Sequence, residues 1–407
     1  MTLGSVAGAV EFNPFSDTFF VDPYPTYKRM RDEAPVYYNA ELDFYALTRY
    51  DDVSVGQRDF ETYSSAYGIE LAAVKSGKRN RFPMIIMMDP PEHRRMRSLV
   101  NRVFTPRAIM ALEPMVQRII GSYLDQCDPS RGFDAVADFA GPFPVEIISE
   151  MLGVPPNERQ QIRHWLDQFL HRNPGEQTMP PSGIAAMGEI GSYFFDLIGK
   201  KRANPADDMI SDLIRAEVAR DEDGELTSLD DVEIAGFLTL LGGAGAETVT
   251  KQIGNAVVVF ADHPEQWAEL QADRSKVPAA VEEILRYLAP SHYNVRRCQK
   301  ETTLHGVTIP EGAAVMMIVA SANRDERAFA DADRFDINRS GDDAQNIGFG
   351  FGIHSCLGAA LARLETRVAL ELLLDALPTY DIERSALKRV AMTNVAGYSS
   401  VPVLART

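Results

Sequence analysis

Cys356 lies in a glycine-rich loop directly before a long predicted helix, a setting that could support metal chemistry. The loop reads FGFGIHSCLG over residues 349–358. Its glycines let the backbone approach a ligand closely, and they leave backbone N–H groups free to point at the sulfur. A helix N-terminus and nearby cations lower the pKa of a thiol, which favours the metal-binding thiolate. The alternative is a buried structural cysteine, which is the commoner role of a lone cysteine.

A second segment lies inside a long predicted helix that runs from Ser228 to about residue 261, with Ser228 and Asp231 as a plausible capped start. The centre of this helix is nearly all apolar and is expected to be buried. It nevertheless contains Gly242, Gly243 and Gly245. Each glycine costs roughly 1 kcal/mol relative to alanine, which indicates that another group comes close to this backbone.

Two polar residues, Glu247 and Thr248, follow these glycines. The spacing places Thr248 on the same helix face as Leu241, Ala244 and Gly245, and it leaves Glu247 as an acid beside a buried stretch. Taken alone, the residues favour a packing site in which the Thr248 hydroxyl bonds back to a helix carbonyl.

Other charged residues have spacings that suit either a bound anion or a solvated surface. His93 and Arg97 are four residues apart in a predicted helix and so share a face. Neighbours in a strand point in opposite directions, so only one side chain of the adjacent pair Arg296 and Arg297 can face a given site. Taken singly, each arginine is more commonly solvated.

Glu283 and Arg286 form another candidate pair. They fall off the apolar stripe of their predicted helix, so the periodicity predicts a surface ion pair of a few tenths of a kcal/mol.

In order and spacing, these segments together resemble the cytochrome P450 family over nearly the whole chain. Residues 349–358 resemble the haem-binding loop of the family, which implies that Cys356 is the axial thiolate ligand of the iron and favours O–O cleavage. Residues 244–248 resemble its oxygen-activating segment, in which Thr248 and Glu247 would organise water to deliver protons. The family often has aspartate where this chain has Glu247.

The resemblance also implies residues that hold the haem and the fold. The cations for the two haem propionates would be His93, Arg97, His354 and one arginine of the pair, with Arg296 preferred over Arg297. The full set of implied haem contacts is His93, Arg97, Ala244, Gly245, Arg296, Phe349, Gly350, His354, Cys356 and Gly358. Glu283 and Arg286 would instead be a buried structural pair under an irregular meander, with Arg334 as its third member.

The elements that must position these residues predict a mostly α protein with a small β region, formed as one domain over residues 1–407. Residues 94–302 are mostly helical in pattern. Strands are predicted at 36–38, 44–47, 302–317 and 391–404. The resemblance implies the cytochrome P450 fold, and its meander accounts for the long irregular segment at 325–351.

Composition excludes several other classes of protein. The chain carries 41 Lys and Arg against 58 Asp and Glu, a formal net charge of −17 with no basic block, so nucleic acid is not an expected partner. Its three widely spaced cysteines form no disulfide framework, which fits a reducing cytoplasm. We expect neither a signal peptide nor a membrane span, since the longest uncharged helical stretch, 234–246, is shorter than the ~20 residues that a span needs.

The function that the resemblance implies is monooxygenation, with haem b (iron protoporphyrin IX) as cofactor and O2 as co-substrate. Electrons would come from NAD(P)H through a reductase and a ferredoxin or flavodoxin, which would dock on a local basic patch. The alternatives are an H2O2-driven peroxygenase and a non-catalytic haem-thiolate binding or sensor protein. Candidate patch residues are Arg94, Arg95 and Arg102.

The sequence does not identify the substrate, but it predicts the chemical class of the substrate. The predicted pocket walls are largely apolar and aromatic, which suits a lipophilic terpenoid, steroid, fatty acyl or aromatic compound. These walls are residues 67–71, 84–88, 169–179, 240–248, 293–295 and 396–399.

Overall fold

The predicted architecture, mostly helical with a small β region, is confirmed. The computed structural model describes residues 10–102, 104–173, 175–176, 178–219, 226–339, 343–390, 392 and 394–406. The α-helices of these residues are α1 Asp17–Val21, α2 Tyr24–Glu33, α3 Tyr50–Arg58, α4 Leu71–Lys75, α5 Glu92–Asn101, α6 Pro106–Ala111, α7 Glu113–Leu124, α8 Pro142–Leu152, α9 Arg159–Leu170, α10 Pro181–Ala203, α11 Met209–Arg215, α12 Asp231–Asp262, α13 Pro264–Ala272, α14 Val277–Tyr287, α15 Val319–Ala322 and α16 Ala359–Ala376.

The strands are short and are spread along the chain. They are β1 Val36–Asn39, β2 Phe44–Leu47, β3 Tyr63–Ser64, β4 Phe133–Asp134, β5 Glu217–Ala219, β6 Leu226–Ser228, β7 Asn294–Cys298, β8 Thr302–Leu304, β9 Val307–Ile309, β10 Ala314–Met317, β11 Tyr380–Ile382, β12 Lys388–Arg389, β13 Tyr398–Ser400 and β14 Pro402–Ala405. The largest sheet has the order β1-β2-β10-β7-β3. Its pairings are antiparallel except for β2 with β10, which is parallel.

Helix α12 lies at the centre of the core and packs against α8, α9, α10 and α16. Its start differs from the predicted one. Asp230, not Ser228, is the N-cap, because Asp230 accepts from the backbone N–H of Glu233 while the Glu233 side chain accepts from Asp230. Ser228 instead ends strand β6.

By length and composition alone, α12 could cross a membrane, and it is the one helix of the described residues with this property. Within its most apolar stretch, 67% of the residues are buried inside the protein. A buried core helix of a soluble protein has the same composition. The helix is therefore weak evidence for a membrane span.

Glu283 and Arg286 of α14 form a buried ion pair, so the interpretation from family resemblance is correct and the surface pair is wrong. Arg286 donates from Nε to Glu283 at 2.7 Å, and it also donates to the carbonyl oxygens of Asn323, Ala332 and Arg334. The irregular segment around these carbonyls covers a face of α14 that the helix alone would leave exposed.

The prediction that the Arg334 side chain is the third member of this buried ion pair is wrong. Its side chain is 66% exposed and pairs with Asp336 at 3.4 Å. The third side chain is that of Arg339, whose Nε lies 3.2 Å from Glu283. Arg334 takes part through its backbone instead, because its carbonyl accepts from Arg286.

Candidate active site

A cavity of about 260 Å³ lies between α12 and the cysteine loop at residues 349–358. Helices α5 and α16 and strand β7 close its sides. Glu247 is the one predicted site residue that does not line it. The predicted site residues along its wall are His93, Arg97, Ala244, Gly245, Thr248, Arg296, Phe349, Gly350, His354, Cys356 and Gly358.

The cysteine loop is shaped by backbone that favours glycine. Gly350 and Gly352 have φ values of 73° and 75°, in the left-handed region. A Cβ on Gly352 would also lie 2.9 Å from the carbonyl oxygen of Gln57 in α3. The Cys356 N–H donates to the Phe349 carbonyl at 2.8 Å, which closes the loop.

Cys356 is exposed along the cavity, while the loop and the neighbouring helices partly desolvate its thiol. Burial raises the pKa of this thiol, and the Gly358 N–H, Arg97 and Arg363 oppose the shift. The predicted influences of an N–H group and of cations are therefore present, but burial outweighs them in the protein alone. A bound metal cation would reverse this balance, because a coordinating thiol is deprotonated.

Strand β7 orients its two arginines oppositely. Arg296 is buried against the cavity, and burial lowers its pKa to about 10, with Asp89 opposing the shift. Arg297 does not line the cavity. Its guanidinium lies 5.0 Å from the ring centroid of Tyr67 and donates to the Val74 carbonyl at 3.2 Å. The alternation of the strand thus brings Arg296, and not Arg297, to the site.

Two histidines meet on the same side of the cavity, with the ring centroids of His93 and His354 4.4 Å apart. Burial, helped by Arg97, lowers the pKa of His93 to about 4. Burial, helped by Arg296, lowers the pKa of His354 to about 2. In the protein alone the two rings are therefore neutral near neutral pH, and their predicted role as cations for the haem propionates stays a prediction. Their Nε2 atoms are buried without a hydrogen-bond partner among the described residues.

On the opposite side, the cavity is bounded by Ala244, Gly245 and Thr248 of α12. The Thr248 hydroxyl donates to the Ala244 carbonyl at 2.8 Å, which is the bond expected of the packing alternative. This bond uses the hydroxyl hydrogen and leaves the oxygen able to accept a hydrogen bond.

The groups that come close to the backbone at the α12 glycines are side chains of the neighbouring helices α8 and α9. A Cβ on Gly245 would lie 3.3 Å from Ile148 of α8, and one on Gly242 would lie 3.4 Å from Leu166 of α9.

Glu247 points away from the cavity, towards α9. Its side chain is buried, with one carboxylate oxygen 3.0 Å from Nζ of Lys251. Glu247 and Thr248 are neighbours in the sequence, but their side chains leave α12 in different directions. Thr248 therefore lines the cavity and Glu247 does not.

The remaining cavity wall is mostly apolar, although parts of the predicted wall are wrong. Residues 67–71, 169–179 and 396–399 do not contribute, with residues 174 and 177 lying outside the described part of the chain. Ala396 and Tyr398 instead line a separate cavity of about 490 Å³ beside α2. The apolar side chains that do contribute are Ile85, Ile86, Phe104, Ile148, Phe237, Leu240, Leu241 and Val249.

Sequence reasoning missed three buried polar residues of the cavity, Gln57, Gln252 and Glu365. Both amide atoms of Gln57 and one carboxylate oxygen of Glu365 are buried without a partner among the described residues. Burial raises the pKa of Glu365 well above its usual value. Its spacing from Leu361 and Ala362 on α16 could have indicated this position, whereas no local pattern indicates Gln57.

The predicted basic patch is smaller than expected. Arg94 and Arg102 are exposed on and just after α5. Arg95 is instead held by an ion pair with Glu233 and by the Ser228 carbonyl, to which it donates at 3.1 Å.

Sequence comparison identifies the family to which this site belongs. A family model described as cytochrome P450 matches residues 184–386. A putative cytochrome P450 123 of Mycobacterium tuberculosis is 42% identical over 392 residues, covering 96% of both chains. The chain belongs to the cytochrome P450 family. The erythromycin C-12 hydroxylase of Saccharopolyspora erythraea is 38% identical over 92% of each chain.

Solved structures agree with this assignment to the cytochrome P450 family. CYP109E1 of Bacillus megaterium in complex with testosterone has a TM-score of 0.84 and 31% identity, covering 95% of this chain and 98% of that chain. The open form of cytochrome P450 EryK from S. erythraea has a TM-score of 0.85 and 36% identity, covering 94% and 95%. The predicted P450 fold is confirmed, and the protein is a cytochrome P450 monooxygenase.

Membership implies a haem and O2, and the cavity fits a haem. Cys356 supplies a sulfur ligand with the Gly358 N–H directed at it. Arg97 donates to the Ser355 carbonyl and Arg296 to the Val295 carbonyl, and neither forms an ion pair with a carboxylate among the described residues, so both bring positive charge to the cavity. The unpartnered Nε2 atoms of His93 and His354 can donate to carboxylates. This donor set suits one metal bound by a thiolate and two anionic propionates.

Proposed function

We propose that this cytochrome P450 hydroxylates or epoxidises a lipophilic small molecule, with electrons delivered by a ferredoxin or flavodoxin and its NAD(P)H-dependent reductase. The observation that carries the proposal is a cavity with Cys356 at one side and apolar side chains opposite. A haem with a thiolate ligand supplies O2 activation and favours O–O cleavage. The classes of substrate that suit the wall are terpenoid, steroid, fatty acyl and aromatic compounds.

The residues around Cys356 would hold the haem. Cys356 would be its axial ligand, and Phe349, Gly350 and Gly358 would shape the loop against it. Arg97 and Arg296 would bind the propionates by charge, while His93 and His354 would donate hydrogen bonds to them. Ala244 and Gly245 would leave room for O2 on the α12 side.

Thr248 and Glu247 would control the delivery of protons into this apolar cavity. The Thr248 oxygen is at the wall and can accept a hydrogen bond from a water molecule, because its own hydrogen is committed to Ala244. Glu247 lies behind it, outside the wall, where it can exchange protons with groups between α12 and α9. The two residues would therefore connect the cavity to the side of α12 that faces α9.

The relatives support a lipophilic substrate. Among them are an erythromycin C-12 hydroxylase and a vitamin D(3) 25-hydroxylase, and a related structure holds testosterone. Erythromycin, vitamin D(3) and testosterone, the compounds in these names, are all built on large carbon skeletons. The walls formed by α8 and α12 contain few charged side chains, so burial of such a compound would leave few ionised groups desolvated.

The redox partner would dock near α5. Arg94 and Arg102 are exposed there, and His93 and Arg97 on the same helix line the cavity. A local positive patch on an acidic protein would attract an acidic carrier.

We also propose a cytoplasmic location and one domain over residues 1–407. The three free cysteines support the location, and a core cluster that extends from Ile85 to Val403 supports the single domain.

The test compares two sources of oxidant. Purified protein is incubated with testosterone as probe, first with NADH, a surrogate ferredoxin and its reductase, and then with H2O2 alone. Oxygenated product in the first mixture and little in the second supports the monooxygenase. Product formed only with H2O2 would identify a peroxygenase, and no product from a panel of lipophilic probes would favour a haem-thiolate binding or sensor protein.

A further inference from the structure

Asp167 of α9 lies opposite Glu247 of α12, and the two carboxyl groups are in hydrogen-bonding contact. The Asp167 side chain is 47% exposed, whereas that of Glu247 is 11% exposed. The next residue on α12, Thr248, lines the cavity. From the surface inward, solvent is therefore followed by Asp167, then by Glu247, and then by the cavity wall at Thr248.

Two cations accompany this carboxyl pair. Nζ of Lys251 lies 3.0 Å from Glu247, and Nε of Arg163 lies 3.8 Å from Asp167. Lys251 is itself buried, so its charge requires a nearby anion. Glu247 supplies that anion at 3.0 Å, so the charge of Asp167 is less needed by Lys251.

Two carboxyl groups in contact cannot both ionise easily, so one tends to keep a proton. Partial desolvation between α9 and α12 raises the pKa of Asp167 to about 7, with Glu247 adding to the shift and Arg163 and Lys251 opposing it. If the pair served only to clamp α9 to α12, an amide in place of one acid would do so without repulsion between two carboxylates. Two acids in contact differ from such a clamp because they can hold and pass a proton.

We propose that Asp167 is the solvent-facing entry of the proton path that runs through Glu247 to Thr248. This inference rests on the proposed role of Glu247 and Thr248. The proton of the Asp167 carboxyl group passes to a carboxylate oxygen of Glu247, and Asp167 regains a proton from water. Glu247 passes its proton inward through water. Each monooxygenation consumes two protons with two electrons from the redox partner, so the path operates twice per O2.

The proposal has a definite pH dependence. The charged groups that act on Asp167 are Arg163 on its own helix and Glu247 and Lys251 on α12. Asp167 can donate only while protonated, which holds below about pH 7. The rate limited by proton delivery should therefore decline as the pH rises through 7, and this decline should disappear when Asp167 cannot titrate.

The test uses the haem-loaded protein with NADH, a surrogate ferredoxin, its reductase and testosterone as probe. The measured quantities are O2 consumption and H2O2 release in H2O and D2O, from about pH 5.5 to 9 so that both protonation states are sampled. The variants are Asp167→Asn, Asp167→Glu and Glu247→Gln. The matched control is Glu189→Gln, the same chemical change at an exposed position of α10.

We expect Asp167→Asn to slow O2 consumption by roughly tenfold, less than the ~10²–10⁴-fold of a direct proton donor. It should also enlarge the solvent isotope effect and remove the decline near pH 7. Asp167→Glu should restore most of the rate, and Glu189→Gln should match the wild type. Haem content and the carbon monoxide spectrum establish that each variant is folded.

Two results would overturn the inference and are distinguishable from failure of the proposed function. If Glu247→Gln is slow while Asp167→Asn keeps the wild-type pH profile and isotope effect, protons reach Glu247 by another route. If Asp167→Glu loses as much rate as Asp167→Asn, the side chain only fixes the helices. If Glu247→Gln and Asp167→Asn both behave as wild type, the proton-delivery role of Glu247 fails as well.

Discussion

Nε of Arg286 lies 2.7 Å from a carboxylate oxygen of Glu283, and both side chains are almost fully buried under the meander. The backbone N–H of Asp336 also donates to Glu283 at 2.9 Å. The pair therefore joins α14 to the chain that leads into the cysteine loop. Its contribution is to hold that chain in place, because neither residue lines the cavity.

We predict that Glu283→Ala or Arg286→Ala destabilises the protein by about 3–5 kcal/mol and abolishes most haem incorporation, since each leaves a buried charge unpaired. Denaturant unfolding and the ratio of haem to protein measure the two effects. Arg334→Ala is the control, because that side chain is largely exposed and should change stability by less than about 1 kcal/mol. Normal haem content and stability in both pair variants would contradict this role.

The Glu283–Arg286 pair shows what helical periodicity can and cannot predict. The periodicity of α14 correctly placed Glu283 and Arg286 off the apolar stripe, but it could not reveal that residues 323–339 cover that face. Resemblance to the family supplied the burial. It did not supply the third partner, because no repeating pattern fixes which side chain of an irregular segment points inward, and Arg339 takes the place expected for Arg334.

The site itself was predictable where local geometry decides it. Strand alternation reduced Arg296 and Arg297 to one inward residue, and the i, i+4 spacing correctly brought His93 and Arg97 to one wall. Segments far along the chain, such as 169–179 and 396–399, depend on how whole helices and strands are placed. Their distance from the cavity could not be read from composition or spacing. The pKa values of Cys356 and His354 likewise depend on burial, which the sequence does not quantify.

We predict that the ferrous protein with carbon monoxide absorbs at the position diagnostic of thiolate ligation, and that Cys356→His moves the band to that of histidine-ligated haem. The reason is the sulfur at the cavity wall with the Gly358 N–H directed at it. Cys127→Ser is the control, because Cys127 does not line the cavity. An unchanged band in Cys356→His would exclude Cys356 as the ligand.

We predict that lipophilic neutral compounds shift the haem spectrum and that multiply charged metabolites do not. The cavity wall on the α8 and α12 side is apolar, so a buried charge there would lose hydration without a partner. Leu240→Glu should therefore weaken lipophilic binding by at least about tenfold, or 1.4 kcal/mol. Met110→Glu makes the same type of change at an exposed position and should have no effect. A screen in which only charged metabolites bind would contradict the prediction.

We predict that Thr248→Ala keeps substrate affinity and NADH consumption but diverts much of the reduced oxygen to H2O2. The Thr248 hydroxyl lines the cavity, and without it a water molecule at this wall would lose its hydrogen-bond acceptor. The lost bond to Ala244 is worth only about 1 kcal/mol, so the helix should remain intact. Product formed per NADH consumed is the deciding measurement. Thr248→Ser keeps the hydroxyl and should couple nearly as well as the wild type, whereas equal coupling in Thr248→Ala would leave Thr248 with a packing role alone.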